Sequence, residues 1–427
     1  MDERVLRQAI DRYQTPFYIF DIDALAAQVK KIRNALGSHA EICYAMKANP
    51  FIVAELLDMA DSFEVCSPGE FHICERAGIP MEKIVMSGVY KNPADIAYAV
   101  EKYKARGVYT AESYTQWEVL RDCAQKNGVV LNVLLRLGVG SQFGMEESVI
   151  RKIVSERGEV SCLNIEGIQL FTGTQKKAAG KYKRELGMLT ELMRSLKDEY
   201  GFYPSRLEYG PGLPICYFDE EENAEDRMLA ALVQELESLD FDGKIVLEMG
   251  RFIAAPCGTY VTSVVDTKGR EGQAYCIVDG GIHHMNYYGQ MMAMKKPPLI
   301  HWKTKEKALD AGGEGASQGE NRAELQGGGE ADPQGDNEDA LQKNLEEWTV
   351  CGSLCTMNDV LVKQYPFEGL SKGDKLIFER VGAYSVTEGI SLLLSRPLPQ
   401  VMLYSEADGF RVARDHFPTD RLNWFQE

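Results

Sequence analysis

Lys47 sits in CYAMKANP (43–50), behind mostly apolar residues and ahead of a proline stop. Burial near cationic groups lowers a lysine's pKa, and the neutral amine attacks an aldehyde to form an imine. Other residues at the ends of apolar runs could serve the same chemistry. They are Glu64 and Ser67, Arg136, the run Phe171-Thr172-Gly173-Thr174, the turn YGPG (209–212), and Glu248 with Arg251. A glycine turn offers backbone N–H groups to a phosphate. Taken alone, Lys47 reads as a snorkelling surface lysine and YGPG as an ordinary turn. Their significance depends on the elements that hold them.

Residues 40–250 alternate short apolar runs with amphipathic stretches. The strand-like runs are 40–46, 62–67, 83–88, 107–112, 129–137, 164–173, 206–210 and 244–250. Segments between them repeat apolar residues at spacings of three and four, and several open on an Asp or Ser cap such as Ser113. Eight such units in about 230 residues predict a (β/α)8 TIM barrel rather than a doubly wound open sheet. Chemistry in a TIM barrel sits at the C-terminal ends of the strands, where all the groups above fall. Loops after the seventh and eighth strands are the usual phosphate site of this fold, which puts Gly210, Gly212 and Arg251 there. An amine, a carboxylate and a phosphate cradle at one mouth suit pyridoxal 5′-phosphate. GVGSQFG (138–144) lacks the spacing of a dinucleotide loop.

Past residue 255 the pattern becomes strand and turn, as in GTYVTSVVDTK, QAYCIVDGG, KLIFERVG and PQVMLYSEADGFRVAR. FYIFD (17–21) reads as a strand ahead of the barrel, able to pair into it. The expected organisation is a barrel over 23–255 and a β-rich domain, barrel- or sandwich-like, from 1–22 and 256–427. Residues 303–347 hold 12 acids and 5 bases, are rich in glycine and have one apolar residue type of any size, leucine. Such a segment buries too little apolar surface to offset its ordering entropy, so a disordered acidic insertion is expected.

The chain has 427 residues and a net charge of -17, which argues against nucleic acid or an anionic membrane as its partner. MDERVLRQAIDRYQTP lacks a secretory h-region, and no apolar run of about 18 residues suggests a membrane span. Ten cysteines lie singly in apolar segments with no CxxC pair, which weakens metal and thioredoxin-like readings. A reduced cytoplasmic location is the expectation.

YAMKANP resembles the YAVKANP lysine motif of the fold-type III pyridoxal-phosphate decarboxylases, the diaminopimelate, ornithine and arginine decarboxylases among them. YQTPFYIFDIDAL (13–25), FEVCSPGE (63–70), EYGPGLP (208–214), EMGR (248–251), CGSLCTMND (351–359) and GAYS (382–385) resemble the family's other motifs in the same order. The resemblance implies that Lys47 forms the Schiff base and that Glu248 pairs with the pyridinium nitrogen. It implies that Gly210, Gly212, Arg251 and Tyr384 hold the phosphate, with Arg136 and Thr174 also lining the cofactor site. Cys355 is implied as the proton donor to the α-carbon, reaching the partner subunit's site in a homodimer.

Two departures bear on function. Where the family places a histidine against the ring, FTGTQ (171–175) has Phe171, which stacks but carries no charge. Where the basic-amino-acid decarboxylases place an acid after the cysteine, this chain has Thr356, which cannot pair with a substrate ammonium. Asp359 is the residue that could compensate. GSLCTMND is closer to the GPLCTPLD of decarboxylases from specialised biosynthetic clusters, so the substrate is expected to be an amino acid, free or carrier-bound. An alanine-racemase-type enzyme is the main alternative, and a catalytically silent partner-binding homologue is another.

Overall fold

A computed structural model describes residues 1–270, 272–286, 293–304 and 345–425. Helix α1 (Glu3–Arg12) is capped by Asp2, whose carboxylate accepts from the Arg4 amide at 2.7 Å. Strand β1 (Phe17–Asp21) follows, and Asp21 caps α2 (Ile22–Leu36) by accepting from Ala24. Eight parallel strands then close a barrel: β2 (Glu41–Ala45), β3 (Ser62–Val65), β4 (Ile84–Met86), β5 (Val108–Ala111), β6 (Leu131–Leu137), β7 (Leu163–Phe171), β8 (Arg206–Gly210) and β9 (Lys244–Met249). These are the eight expected runs with trimmed ends. Helices α3 (Pro68–Arg76), α4 (Pro93–Tyr103), α5 (Tyr114–Asn127), α6 (Glu147–Glu156), α7 (Gly180–Tyr200) and α8 (Glu225–Glu237) join successive strands from β3 onward. Ser67 and Ser113 cap α3 and α5 through their hydroxyls.

The first crossover differs from the expected β-α unit. Between β2 and β3 the chain makes three single-turn helices, Met46–Ala48, Pro50–Ile52 and Ala54–Leu56. Asn49 ends the first turn in an extended conformation, and its side chain accepts from Phe51 at 3.0 Å to start the next. Pro50, which lacks an N–H, also favours a new start.

Inside the barrel the period-two alternation of strands divides the filling. Cys43, Val85, Val108, Leu134 and Val246 form one apolar layer. Two residues beyond Leu134 and Val246 come Arg136 and Glu248, and the strands between them carry Gln169 and Glu208, so the mouth is polar.

A short helix, α9 (Arg251–Ala254), leads into the second sheet. Its strands are β1 with β10 (Gly258–Arg270), β11 (Gln273–Val278), β12 (Leu299–Trp302), β13 (Leu345–Cys351), β14 (Val360–Glu368), β15 (Lys375–Glu379), β16 (Gln400–Ser405) and β17 (Gly409–Arg414). β1 does not pair into the barrel. It lies antiparallel to β10 and parallel to β16, with Phe17, Tyr18, Ile19 and Phe20 all buried. Its continuous apolar run suits a strand buried on both faces. Leu345–Glu347, the last three residues of the expected disordered insertion, belong to β13 and pair with β14. The bulk of that insertion lies outside the described residues.

The sheet meets the barrel at Gly382. A Cβ there would lie 1.9 Å from the Ala254 carbonyl oxygen and 2.8 Å from the Gly258 nitrogen. Gly382→Ala must therefore shift backbone, at about 1–3 kcal/mol, and is expected to lower Tm by several degrees. Gly187, in the interior of α7, has open space around it, so Gly187→Ala should leave Tm equal or raised. Thermal denaturation of both variants checks this pair, and an unshifted Tm for Gly382→Ala would contradict it.

Candidate active site

Lys47 lies in the single turn that leaves β2, not on the strand itself. That turn is held from both sides. The Tyr44 hydroxyl donates to the Asn49 carbonyl at 2.9 Å, and the Asn49 side-chain amide donates to the Gly382 carbonyl at 2.9 Å. The Tyr384 amide donates to the Ala48 carbonyl at 2.6 Å. Lys47 Nζ thereby reaches Glu64 Oε2 at 3.0 Å, with Cys66 Sγ 3.8 Å away. Burial favours the neutral amine, but Glu64, Cys66 and Glu248 outweigh it and raise Lys47 well above the usual lysine value. Burial likewise opposes ionisation of Glu64, yet the Lys47 ammonium and Arg136 hold it below the usual carboxylate value.

Glu248 faces this pair from β9, whose register sets it opposite Cys43 of β2. Gln169 donates to Glu248 Oε1. The fully buried Glu208 accepts from Arg206. Burial, then the charges of Glu64 and Glu208, push the Glu248 carboxyl well above its usual range. It is a carboxyl that ionises readily only when a cation comes to it. Arg136, buried, donates to Glu112 Oε1 at 3.0 Å, and the other Glu112 oxygen accepts from the Gly144 amide at 3.2 Å. Its guanidinium also lies 5.2 Å from the centre of the Phe143 ring.

Lys47, Glu64, Cys66, Arg136 and Glu248 line one cavity of about 460 Å³, together with Phe171, Thr174, Gly212, Arg251 and Tyr384. Gly212 is required twice over. Its φ is +60°, and a Cβ would lie 2.1 Å from the Gly173 carbonyl. The loops after β7 and β8 thus touch through backbone, and the Lys176 amide donates to the Gly212 carbonyl at 2.9 Å. The Arg251 guanidinium lies 4.4 Å from the centre of the Tyr384 ring and donates to the Tyr217 hydroxyl at 3.0 Å.

Four expected site residues do not line this cavity of their own chain. Gly210 does not line the cavity; a Cβ there would meet Phe171 Cδ2 at 2.4 Å, so it makes room for that ring. Asp359 is buried, and its carboxylate accepts the amides of Ile282 at 2.8 Å and Leu354 at 2.7 Å. It fixes the loop between β13 and β14 and offers no charge to the cavity. Cys355 and Thr356 lie in that loop, outside the Lys47 cavity of their own chain, with Cys355 exposed.

The sequence reading passed over Cys66, Phe143, Glu388, Glu112 and Gln169. The first three line the cavity, and the last two orient Arg136 and Glu248. Gln169 had a legible signal, since it shares the period-two face that carries Glu208 and Glu248 on neighbouring strands. Phe143 lies within GVGSQFG, whose spacing does not suit a nucleotide loop, and it packs against Arg136.

Residues 22–255 match the family model "Pyridoxal-dependent decarboxylase, pyridoxal binding domain". The chain is 26% identical over 425 residues to the L-glutamyl-[BtrI acyl-carrier protein] decarboxylase of Niallia circulans, covering 93% of this chain and 91% of that protein. It is 28% identical over 297 residues to the diaminopimelate decarboxylase of Aquifex aeolicus, covering 66% and 70% respectively. The fold matches the crystal structure of diaminopimelate decarboxylase from Helicobacter pylori complexed with L-lysine at a TM-score of 0.79 and 21% identity, covering 98% and 99% of the two chains. With over half of the sequence matched by the family model and a closed barrel carrying an amine, a carboxyl and a glycine-lined cradle at its mouth, the chain belongs to the pyridoxal-dependent decarboxylases.

Proposed function

We propose that this enzyme releases CO2 from an amino acid held on a carrier, with Lys47 as the amine to which pyridoxal phosphate attaches. The observation that carries the reading is the single cavity that gathers Lys47, Glu64, Glu248, Gly212, Arg251 and Tyr384. The residues fit the cofactor. Gly212 lets the loops after β7 and β8 close against each other at the cavity, where backbone N–H groups suit a phosphate, and Arg251 supplies a cation on the same wall. Glu248, raised by burial and by its acidic neighbours, suits a protonated ring nitrogen.

Bound pyridoxal phosphate supplies the electron sink that accepts the pair left when the carboxylate departs as CO2. Glu248 would hold the compensating negative charge beside the ring nitrogen and favour its protonated form. Glu64 keeps the Lys47 ammonium near the mouth, so the proton that Lys47 must lose leaves against its pull. Phe171 covers a ring face without adding charge, and Gly210 makes that position available. The exposed Cys355, outside its own chain's cavity, supports a homodimer in which it delivers a proton across the interface.

The substrate reading rests on Thr356, on the occupied Asp359 carboxylate, and on the carrier-protein substrate named for the Niallia relative. Neither Thr356 nor Asp359 offers a free negative charge to a distal ammonium, and an unpaired buried ammonium is costly. One observation favours a second reading. Glu388 is exposed and lines the cavity, so a diamino acid could set its distal ammonium there.

Three measurements bear on these roles. Glu64→Gln removes the largest charge that raises Lys47, so the neutral amine should appear at lower pH. Cofactor attachment to the apo-protein, followed by absorbance, should then be faster at pH 7 and its pH profile displaced downward. An unmoved profile would remove Glu64 from the role of setting the Lys47 proton. Lys47→Ala and Cys355→Ala should each be inactive alone, and mixed subunits should regain CO2 release through sites that draw on both chains. Failure to regain activity, with mixed dimers verified, would place Cys355 outside the mechanism. In a CO2-release panel, glutamate on an acyl-carrier protein should turn over, whereas meso-diaminopimelate, lysine and ornithine should not. Turnover of a diamino acid alone would replace the carrier reading with the Glu388 one.

A further inference from the structure

We propose that three exposed cations at the start of α7, Lys181, Lys183 and Arg184, form the docking surface for an acidic face of the protein that carries the substrate. This rests on the carrier-bound reading above. In a chain of net charge -17, the segment GTQKKAAGKYKR (173–184) holds five bases and no acid. Two of the five are engaged: Lys176 is buried against Glu185 at 2.6 Å, and Lys177 pairs with Glu221 at 2.9 Å. The other three are exposed and have no ion pair among the described residues. Glu185, one turn beyond Lys181 and otherwise its natural partner, is buried and turned toward the barrel.

Local stability argues against this arrangement. The first turn of a helix carries the positive end of its dipole and favours acids. Here that turn has no acid, and Ala179 at the cap offers no side-chain acceptor. Cations placed against local preference mark a position set by function.

The three cations follow the loop that supplies Thr174 to the cavity. Glu185 accepts from Thr172 at 2.6 Å, from Lys176 at 2.6 Å and from the Tyr209 hydroxyl at 2.5 Å. The first turns of α7 are thereby fastened to the loop that contributes Thr174 to the cavity and touches Gly212. A partner seated on these cations stands beside the opening through which a tethered amino acid would enter. The patch is small and the rest of the molecule is acidic, so a compact acidic protein face suits it and an extended nucleic acid does not.

The test compares wild type with the triple variant Lys181→Glu, Lys183→Glu, Arg184→Glu, both loaded with pyridoxal phosphate. The probes are glutamate on an acyl-carrier protein and glutamate on a short pantetheine thioester. On the carrier, the variant's kcat/KM should fall by about 10- to 100-fold, chiefly through KM. Its dependence on salt should flatten, because screened charge steers the wild-type encounter. On the short thioester the two proteins should match, and Lys181→Arg with Lys183→Arg should keep wild-type behaviour on both probes. Equal kcat/KM on the carrier, or an equal loss on both probes, would overturn the docking assignment. Inhibition of wild type by short duplex DNA as strong as that by unloaded carrier would also overturn it, since the patch would then bind polyanions generally. A wild type that ignores the loaded carrier but turns over the short thioester or a free amino acid sinks the carrier reading itself.

Discussion

Three glutamates crowd the inner mouth of one barrel, and the cost of keeping them there organises the site. Glu64, Glu208 and Glu248 cannot all ionise out of contact with water without cations among them. Arg206 answers Glu208 and Lys47 answers Glu64, while Glu248 accepts from the amide of Gln169 and forms no ion pair of its own among the described residues. The same crowding that holds Lys47 charged keeps Glu248 short of charge. The arrangement is short of one positive group, and this shortage is what supports the role proposed for Glu248 toward a protonated ring nitrogen.

The second sheet serves this arrangement. Lys47 is carried on a turn with little structure of its own, and two hydrogen bonds with the Gly382–Tyr384 loop after β15 hold it. Tyr384 then presents its ring to the Arg251 guanidinium on the cavity wall. The close backbone approach at Gly382 is what lets an element of one domain reach into the mouth of the other. Packing and site geometry meet in that one residue, which is why a methyl group there would be felt in both.

Much of this was readable in advance because it follows short-range rules. Eight apolar runs with capped amphipathic segments between them specify a barrel, and barrel geometry then brings Lys47, Arg136, Thr174, Gly212, Glu248 and Arg251 to one end. Tertiary roles were harder to see. Asp359 looks like a spare acid in sequence, but its carboxylate is spent on two backbone amides. Gly210 looks like part of a phosphate loop and instead clears space for Phe171. Nothing in the local pattern of Phe17–Asp21 says that it pairs with strands more than two hundred residues away. Strand partners are set by long-range packing, which local propensity does not encode.

That last pairing has a consequence for how the chain reaches its native state. β1 lies between β10 and β16, and these strands begin at residues 258 and 400. During synthesis β1 waits with both edges bare while the whole barrel is made, and it gains its second neighbour only after residues 400–405 have been made. Exposed apolar strand edges are where chains associate wrongly, and long-range pairings are slow to form. For this molecule, the interval between the ribosome's passage through β1 and through β16 is the window in which chaperones matter most.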